Sequence, residues 1–278
     1  MTDLTALLPR LTHLLDRLEA PPAAMPDWKT VRAARWSAQA GGLKPILHPQ
    51  RVALRDLLAI DDQKQRVDAN TRQFVAGKPA NNVLLTGARG CGKSSLVKAV
   101  HAKYAPKGLR LIEVDKAGLP QLPDLFDQLA DVDYRFIIFI DDLTFAEHEA
   151  GYASLKAALD GSLAGPSDNV LIYATSNRRH LMPEYMAENM ETTYLGGEVH
   201  PGEATEEKVS LSDRFGLWVS FHAMDQDTYL DIARHWAAAL GVPADDRFER
   251  AALQWSLGRG ARNGRVAWQF ARDWAGRQ

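Results

Sequence analysis

Leucines near the start of the chain fall at helical spacing: Leu4, Leu7, Leu8, Leu11, Leu14, Leu15 and Leu18, with Arg10, His13, Asp16 and Arg17 between them. The pattern predicts an amphipathic helix ended by Pro21-Pro22. Its polar face carries both signs of charge, unlike a membrane-surface helix, so packing against its own domain is expected. Residues 27–40, with Trp28 and Trp36, read as a second helix stopped by Gly41-Gly42. Residues 1–50 are therefore expected to form an N-terminal helical extension. Helical patterning returns over residues 52–58 and 61–74.

From there the pattern alternates. Short apolar runs at 83–85, 109–114, 136–140, 170–174 and 217–221 predict strands, and 93–104, 122–129 and 152–159 predict the helices between them. Such alternation predicts an α/β domain over 51–224, with a five-stranded parallel sheet flanked by helices. Residues 184–207 interrupt it: they hold Glu184, Glu188, Glu191, Glu198, Glu203, Glu206 and Glu207 and no Lys or Arg, which reads as an exposed acidic insertion. Residues 225–278 turn all-helical. Tyr229, Ile232, Ala233, Trp236, Ala237 and Leu240 mark one apolar stripe, Phe248, Ala252 and Trp255 a second, and Val266, Phe270 and Trp274 a third. The tryptophans are expected in the core.

Composition narrows the function classes. Of 278 residues 46% are hydrophobic and 24% charged, ordinary for a globular chain and unlike a disordered or fibrous one. A net charge of −2 argues against a chain that binds nucleic acid or anionic membrane through overall basicity, while leaving room for a local patch. Cys91 is the one cysteine, so neither an internal disulfide nor a cysteine-based zinc site is available. No apolar run approaches the ~18 residues of a membrane span, and the N-terminus lacks the basic and apolar regions of a secretory signal. A cytoplasmic location and no membrane partner are expected.

Three segments carry chemistry. Gly87-Ala88-Arg89-Gly90-Cys91-Gly92-Lys93-Ser94 matches the phosphate-binding (Walker A) loop and lies between a predicted strand and a predicted helix. Its backbone N–H groups can wrap a phosphate at the positive end of that helix; Lys93 would reach the β- and γ-phosphates, Ser94 would place its hydroxyl on Mg²⁺, and Ser95 completes the binding positions. The apolar run at 136–140 ends in Asp141-Asp142, at the sheet edge where ligands of open α/β sheets sit. Asp141 is placed for the Mg²⁺ shell, and Asp142 to orient or deprotonate a water. The run at 170–174 leads into Thr175-Ser176-Asn177-Arg178-Arg179-His180, where Asn177, or failing it Thr175, can fix the attacking water. Arg178-Arg179-His180 is a small basic cluster that could touch nucleic acid, but beside the acidic insertion it is expected to form ion pairs within or between subunits.

Arg214, before the last strand, and Arg262 and Arg265, at the start of the last helix, can supply positive charge to a γ-phosphate. A lone arginine says nothing; the order of these elements does. That order resembles the AAA+ ATPases from about residue 51 to the C-terminus. More narrowly, residues 82–90, 174–181 and 211–217 are similar to the bacterial AAA+ family known as domain of unknown function 815. The resemblance implies a P-loop fold with a small C-terminal helical lid, ATP and Mg²⁺ as ligands, and a homo-oligomer in which Arg214 serves the neighbouring subunit's site. It also implies a lid arginine acting in cis, with Arg265 preferred over Arg262, and an ATPase that remodels or loads a protein or protein–DNA partner. Many AAA+ proteins carry Asp-Glu where this chain has Asp141-Asp142. The shorter carboxylate is similar to helicase loaders, many of which hydrolyse slowly, so an ATP-gated binding module is the alternative. The lid and Arg214 argue against a small-molecule phosphotransferase. Cys91 sits at a helix N-terminus two residues before Lys93, which favours the thiolate; the other reading is that only its backbone N–H matters and the side chain is packed and inert.

Overall fold

The computed structural model describes residues 25–50, 52–145, 150–160, 168–177, 193–195, 198–200 and 211–277. The leucine-rich segment, Arg178-Arg179-His180 and most of the acidic insertion lie outside them. Strands β1 (Ala33–Ser37), β2 (Gly42–Pro45), β3 (Val83–Gly87), β4 (Leu109–Glu113), β5 (Arg135–Ile140), β6 (Val170–Ser176) and β9 (Leu217–Phe221) form one sheet in the order β2-β1-β4-β5-β6-β3-β9. A separate antiparallel pair, β7 (Thr193–Leu195) and β8 (Glu198–His200), falls within the acidic insertion. Helices α1 (Asp61–Val75), α2 (Lys93–Tyr104), α3 (Leu122–Leu129) and α4 (Ala150–Asp160) accompany the sheet, and α5 (Gln226–Ala239), α6 (Asp246–Arg259) and α7 (Gly264–Ala275) follow it. Among the described residues no helix is long and apolar enough to cross a membrane.

Both faces of the sheet are apolar, as a covered parallel sheet requires. Along β5, Phe136, Ile138 and Ile140 join one core cluster with Leu84 and Ile172, while Ile137 and Phe139 join the other with Leu85 and Tyr173. The expected five parallel strands are present as β4-β5-β6-β3-β9, but the sheet has seven. The two additional strands come from the segment expected to be helical. β1 runs parallel to β4, and β2 pairs antiparallel with β1.

Residues 27–40 are therefore not a helix, for a tertiary reason. Trp36 is 2% exposed and packs with Ala34 in one cluster, while Arg35 points outward to Glu113 at 2.7 Å. That alternation is a strand's. Gly41, at φ 55°, serves the hairpin turn instead of stopping a helix. Two buried side chains fasten the segment from beneath. His101 Nε2 donates to the Arg32 carbonyl at 2.9 Å, and Arg110 donates to the Trp28 carbonyl at 2.9 and 2.5 Å. Residues 52–58 also differ from expectation: only Leu54–Asp56 makes a short 3-10 turn.

The last three helices have a core of their own, with Tyr229, Ala233, Phe248, Ala252, Ala267 and Phe270 at its centre. Asp225, Asp245 and Asn263 cap them, each accepting from the N–H three residues on at 2.8, 2.8 and 2.9 Å.

Candidate nucleotide site

Sheet register brings the motifs together. Pairing of Ile140 with Ala174 carries Asp141 beside Thr175, and pairing of Thr86 with Ser176 carries Asn177 beside the loop that follows β3. Gly87 passes so close to β9 that a Cβ would run into the Phe221 carbonyl. Gly90, at φ 79°, lies under Asn263, whose side chain a Cβ would meet at 2.6 Å. Glycine is required at both positions by close approach as well as by backbone angle.

The chemistry-bearing side chains interlock at the C-terminal edge of β3, β5 and β6. Lys93, 5% exposed, donates from Nζ to the Gly87 and Ala88 carbonyls at 2.6 and 2.8 Å and to Asn177 Oδ1 at 3.0 Å. Burial lowers its pKa, and the charges of Asp141 and Asp142 oppose that shift. Ser94 Oγ and Thr175 Oγ1 each donate to Asp141 Oδ1 at 2.6 Å. The Asp142 N–H donates to Thr175 Oγ1 at 2.9 Å, so Thr175 ties the two carboxylate positions together. Asp142 is left-handed at φ 56°, which a short polar side chain tolerates. Its carboxylate accepts from the Asn177 amide and faces Arg89 at 3.6 Å.

A cleft of about 710 Å³ opens in front of these groups. The phosphate loop with Ser95 forms its floor, Leu57 and Ile60 one side, and Ile232, Trp236, Arg265 and Trp268 the lid side. The lid touches the loop directly: the Arg265 N–H donates to the Gly90 carbonyl at 3.3 Å. Of the two candidates for the lid arginine, the preferred Arg265 lines the cleft and the alternative Arg262 does not. Trp236 and Trp268 meet with ring centroids 4.5 Å apart. His235, next to Trp236, lies 3.5 Å from Asp56 of the segment before α1, so lid and sheet unit also meet there. Trp268 was not legible as a cleft residue, although it falls off the stripe of Val266, Phe270 and Trp274. An aromatic side chain outside the apolar face was the available signal.

Arg214 does not line this cleft. Its Nε pairs with Asp160 Oδ1, at the end of α4, at 2.5 Å. For Cys91 the structure favours the packed, inert side chain over the thiolate. It is 4% exposed, its Sγ donates to the Ala88 carbonyl at 2.9 Å, and burial pushes the thiol pKa up despite Lys93 nearby. The positive helix end is outweighed by desolvation of the charged form.

Residues 29–278 match the family model described as "Protein of unknown function (DUF815)". No curated protein matches the chain. Among solved structures, an arginine-to-alanine variant of Thermotoga maritima RuvB is similar at 15% identity and a TM-score of 0.53, covering 79% of this chain and 63% of that one. A proline-to-glycine variant of the same protein gives 17% identity and 0.51, covering 79% and 64%. The chain thus spans somewhat less than two thirds of those RuvB chains. At such identities the likeness shows the fold, the AAA+ P-loop fold. The family match spans nearly the whole sequence, and the chain belongs to the DUF815 family.

Proposed function

We propose that this chain is a Mg²⁺-dependent AAA+ ATPase, with residues 51–224 and the N-terminal hairpin that extends their sheet as its nucleotide-binding unit, and residues 225–278 as the lid. The observation that carries this reading is the convergence of Ser94 and Thr175 on Asp141, beside a lysine held by the loop and by Asn177. A hydroxyl and a carboxylate are hard oxygen donors of the kind Mg²⁺ takes, and that ion needs no all-protein cage when phosphates complete its shell. Ser94 and Asp141 would hold it. Once bound, it would neutralise charge on the β- and γ-phosphate oxygens.

The remaining work falls to the chain's own groups. Backbone N–H groups from Gly87 to Ser95 wrap the phosphates, and Lys93 exchanges the loop carbonyls for the β- and γ-phosphates. Asp142 and Asn177, already in contact, orient the attacking water, and Asp142 can accept its proton. Arg265 contacts phosphate from the lid in cis. The base lies against the apolar lid side, near Trp236 and Ile232. Arg214, from a neighbouring subunit in a homo-oligomer, adds charge in trans. ATP turnover is used to remodel or load a protein or protein–DNA partner.

A second reading is favoured by Asp142 itself. Its carboxylate, one carbon shorter than a glutamate's, is already engaged by Asn177 and Arg89. Such a site suits a slow, ATP-gated binding module akin to a helicase loader. Asp142→Asn should keep ATP binding and reduce phosphate release by ~100-fold or more, the scale of a lost general base. Hydrolysis at the wild-type rate by that variant would show that Asp142 is not the base. Mixing Arg214→Ala with Lys93→Ala should restore part of the activity that each lacks alone. No rescue by co-assembled variants at any ratio would remove the action in trans.

A further inference from the structure

We propose that Arg89 is a γ-phosphate ligand supplied by the phosphate loop itself, and that Asp142 is its partner until ATP arrives. The inference rests on the ATPase reading above. Arg89 and Lys93 are the two cationic side chains of the loop, and they differ in every respect. Lys93 is buried beneath it; the Arg89 side chain is 76% exposed and reaches across the mouth of the site to Asp142 Oδ2 at 3.6 Å.

The contacts run in a chain. Arg89 faces one oxygen of Asp142, Asn177 donates to the other, and Lys93 donates to Asn177. Two cations therefore stand at the ends, and the groups between them carry a single negative charge. Each group that a terminal phosphate needs is occupied by another protein group.

Relative strengths decide what happens when phosphate enters. An exposed arginine–carboxylate pair is worth at most about 1 kcal/mol, and one at 3.6 Å is too long for a good charged hydrogen bond. A terminal phosphate carries nearly two negative charges and offers several oxygens to a planar guanidinium, which binds phosphate in bidentate fashion. Arg89 therefore leaves Asp142 for the phosphate. The exchange also frees Asp142 Oδ2 to receive a proton from water. ADP lacks the third phosphate and leaves the Arg89–Asp142 pair in place, so Arg89 makes the site distinguish ATP from ADP without a neighbouring subunit.

The test compares Mg–AMP-PNP with Mg–ADP by titration calorimetry, on wild type, Arg89→Ala, Arg89→Lys and Asp142→Asn. Arg89→Ala should lose about tenfold in affinity for AMP-PNP and less than about twofold for ADP, with partial recovery in Arg89→Lys. Asp142→Asn should bind AMP-PNP as tightly as wild type or more tightly, since it releases Arg89. An equal loss for both nucleotides, or none for either, overturns the assignment while leaving the ATPase reading intact. So does a loss of AMP-PNP affinity in Asp142→Asn that matches Arg89→Ala. Wild-type protein that binds neither nucleotide overturns the ATPase reading and Arg89's role with it. Arg89 is at the surface, and circular dichroism of Arg89→Ala should match wild type.

Discussion

Lys93 and Arg110 are both 5% exposed, and main-chain carbonyls hold each of them. Arg110 lies on β4, whereas Lys93 opens α2 at the C-terminal edge of β3. Arg110 is sealed in: it donates to the Trp28, Ala105 and Leu109 carbonyls and lies 4.2 Å from the centre of the Tyr134 ring. Lys93 borders the 710 Å³ cleft, with Asp141 and Asp142 among the residues lining it. Burying a charge is costly in both places. At Arg110 the hydrogen bonds complete the packing of the N-terminal hairpin. At Lys93 they hold a charge beside an open cleft.

Substituting each cation should separate the two roles. Lys93→Ala should reduce ATP affinity by ~100-fold or more, because it removes the main positive charge facing the phosphates. Its stability should change little, since the cleft admits water to the carbonyls it leaves. Arg110→Ala should do the opposite. The buried Trp28, Ala105 and Leu109 carbonyls lose the Arg110 donor, Ala105 keeping the Gly108 N–H, at a cost of about 3 kcal/mol in urea unfolding. Its ATP affinity should match wild type. If Arg110→Ala weakened ATP binding as much as Lys93→Ala, the contrast between a structural and a ligand-facing cation would fail.

The same far region of the sheet should carry a pH response. His101 is buried and neutral, its pKa pushed down to about 4 by burial with Arg110 and Arg32 nearby. A folded-state pKa below the unfolded value of about 6.5 means that the unfolded chain takes up the proton first. Stability from this group is complete above about pH 6.5 and is lost as pH falls toward 4, by up to about 3 kcal/mol. His101→Gln, which keeps a donor for the Arg32 carbonyl, should flatten the unfolding free energy over that interval. An unchanged slope would show that other groups carry it.

The region around the cleft was also the more legible of the two. Its strands are unbroken apolar runs, its last three helices carry their own caps, and the phosphate loop, Asp141, Asp142 and Asn177 lie where sequence order puts them. Each of those signals is local. The hairpin's signals are not. Trp28 and Trp36 suit a helix or a strand, and Gly41-Gly42 can stop one or turn the other. What decides is β4, far along the chain, whose edge accepts β1. The Asp160 partner of Arg214 was illegible for the same reason. So was the 3.6 Å approach of Arg89 to Asp142, which needs β3 and β5 in one sheet.

Cys91 carries the smallest expected effect, and it tests whether the loop's underside is as closed as its outer face is open. The thiol belongs to the core cluster that includes Ile60 and Val67, and it donates inward to the Ala88 carbonyl. A serine hydroxyl can make the same bond, so Cys91→Ser should bind ATP within about twofold of wild type and lose at most about 1 kcal/mol of stability. With burial raising its pKa, the thiol should react slowly with iodoacetamide, and saturating Mg-ATP should change that rate little. Rapid alkylation that ATP suppresses would mean that the loop opens to expose its underside before nucleotide binds. The buried hold on Lys93 would then be one of two states of the loop, and the sharp division between Lys93 below and Arg89 above would apply only to the closed one.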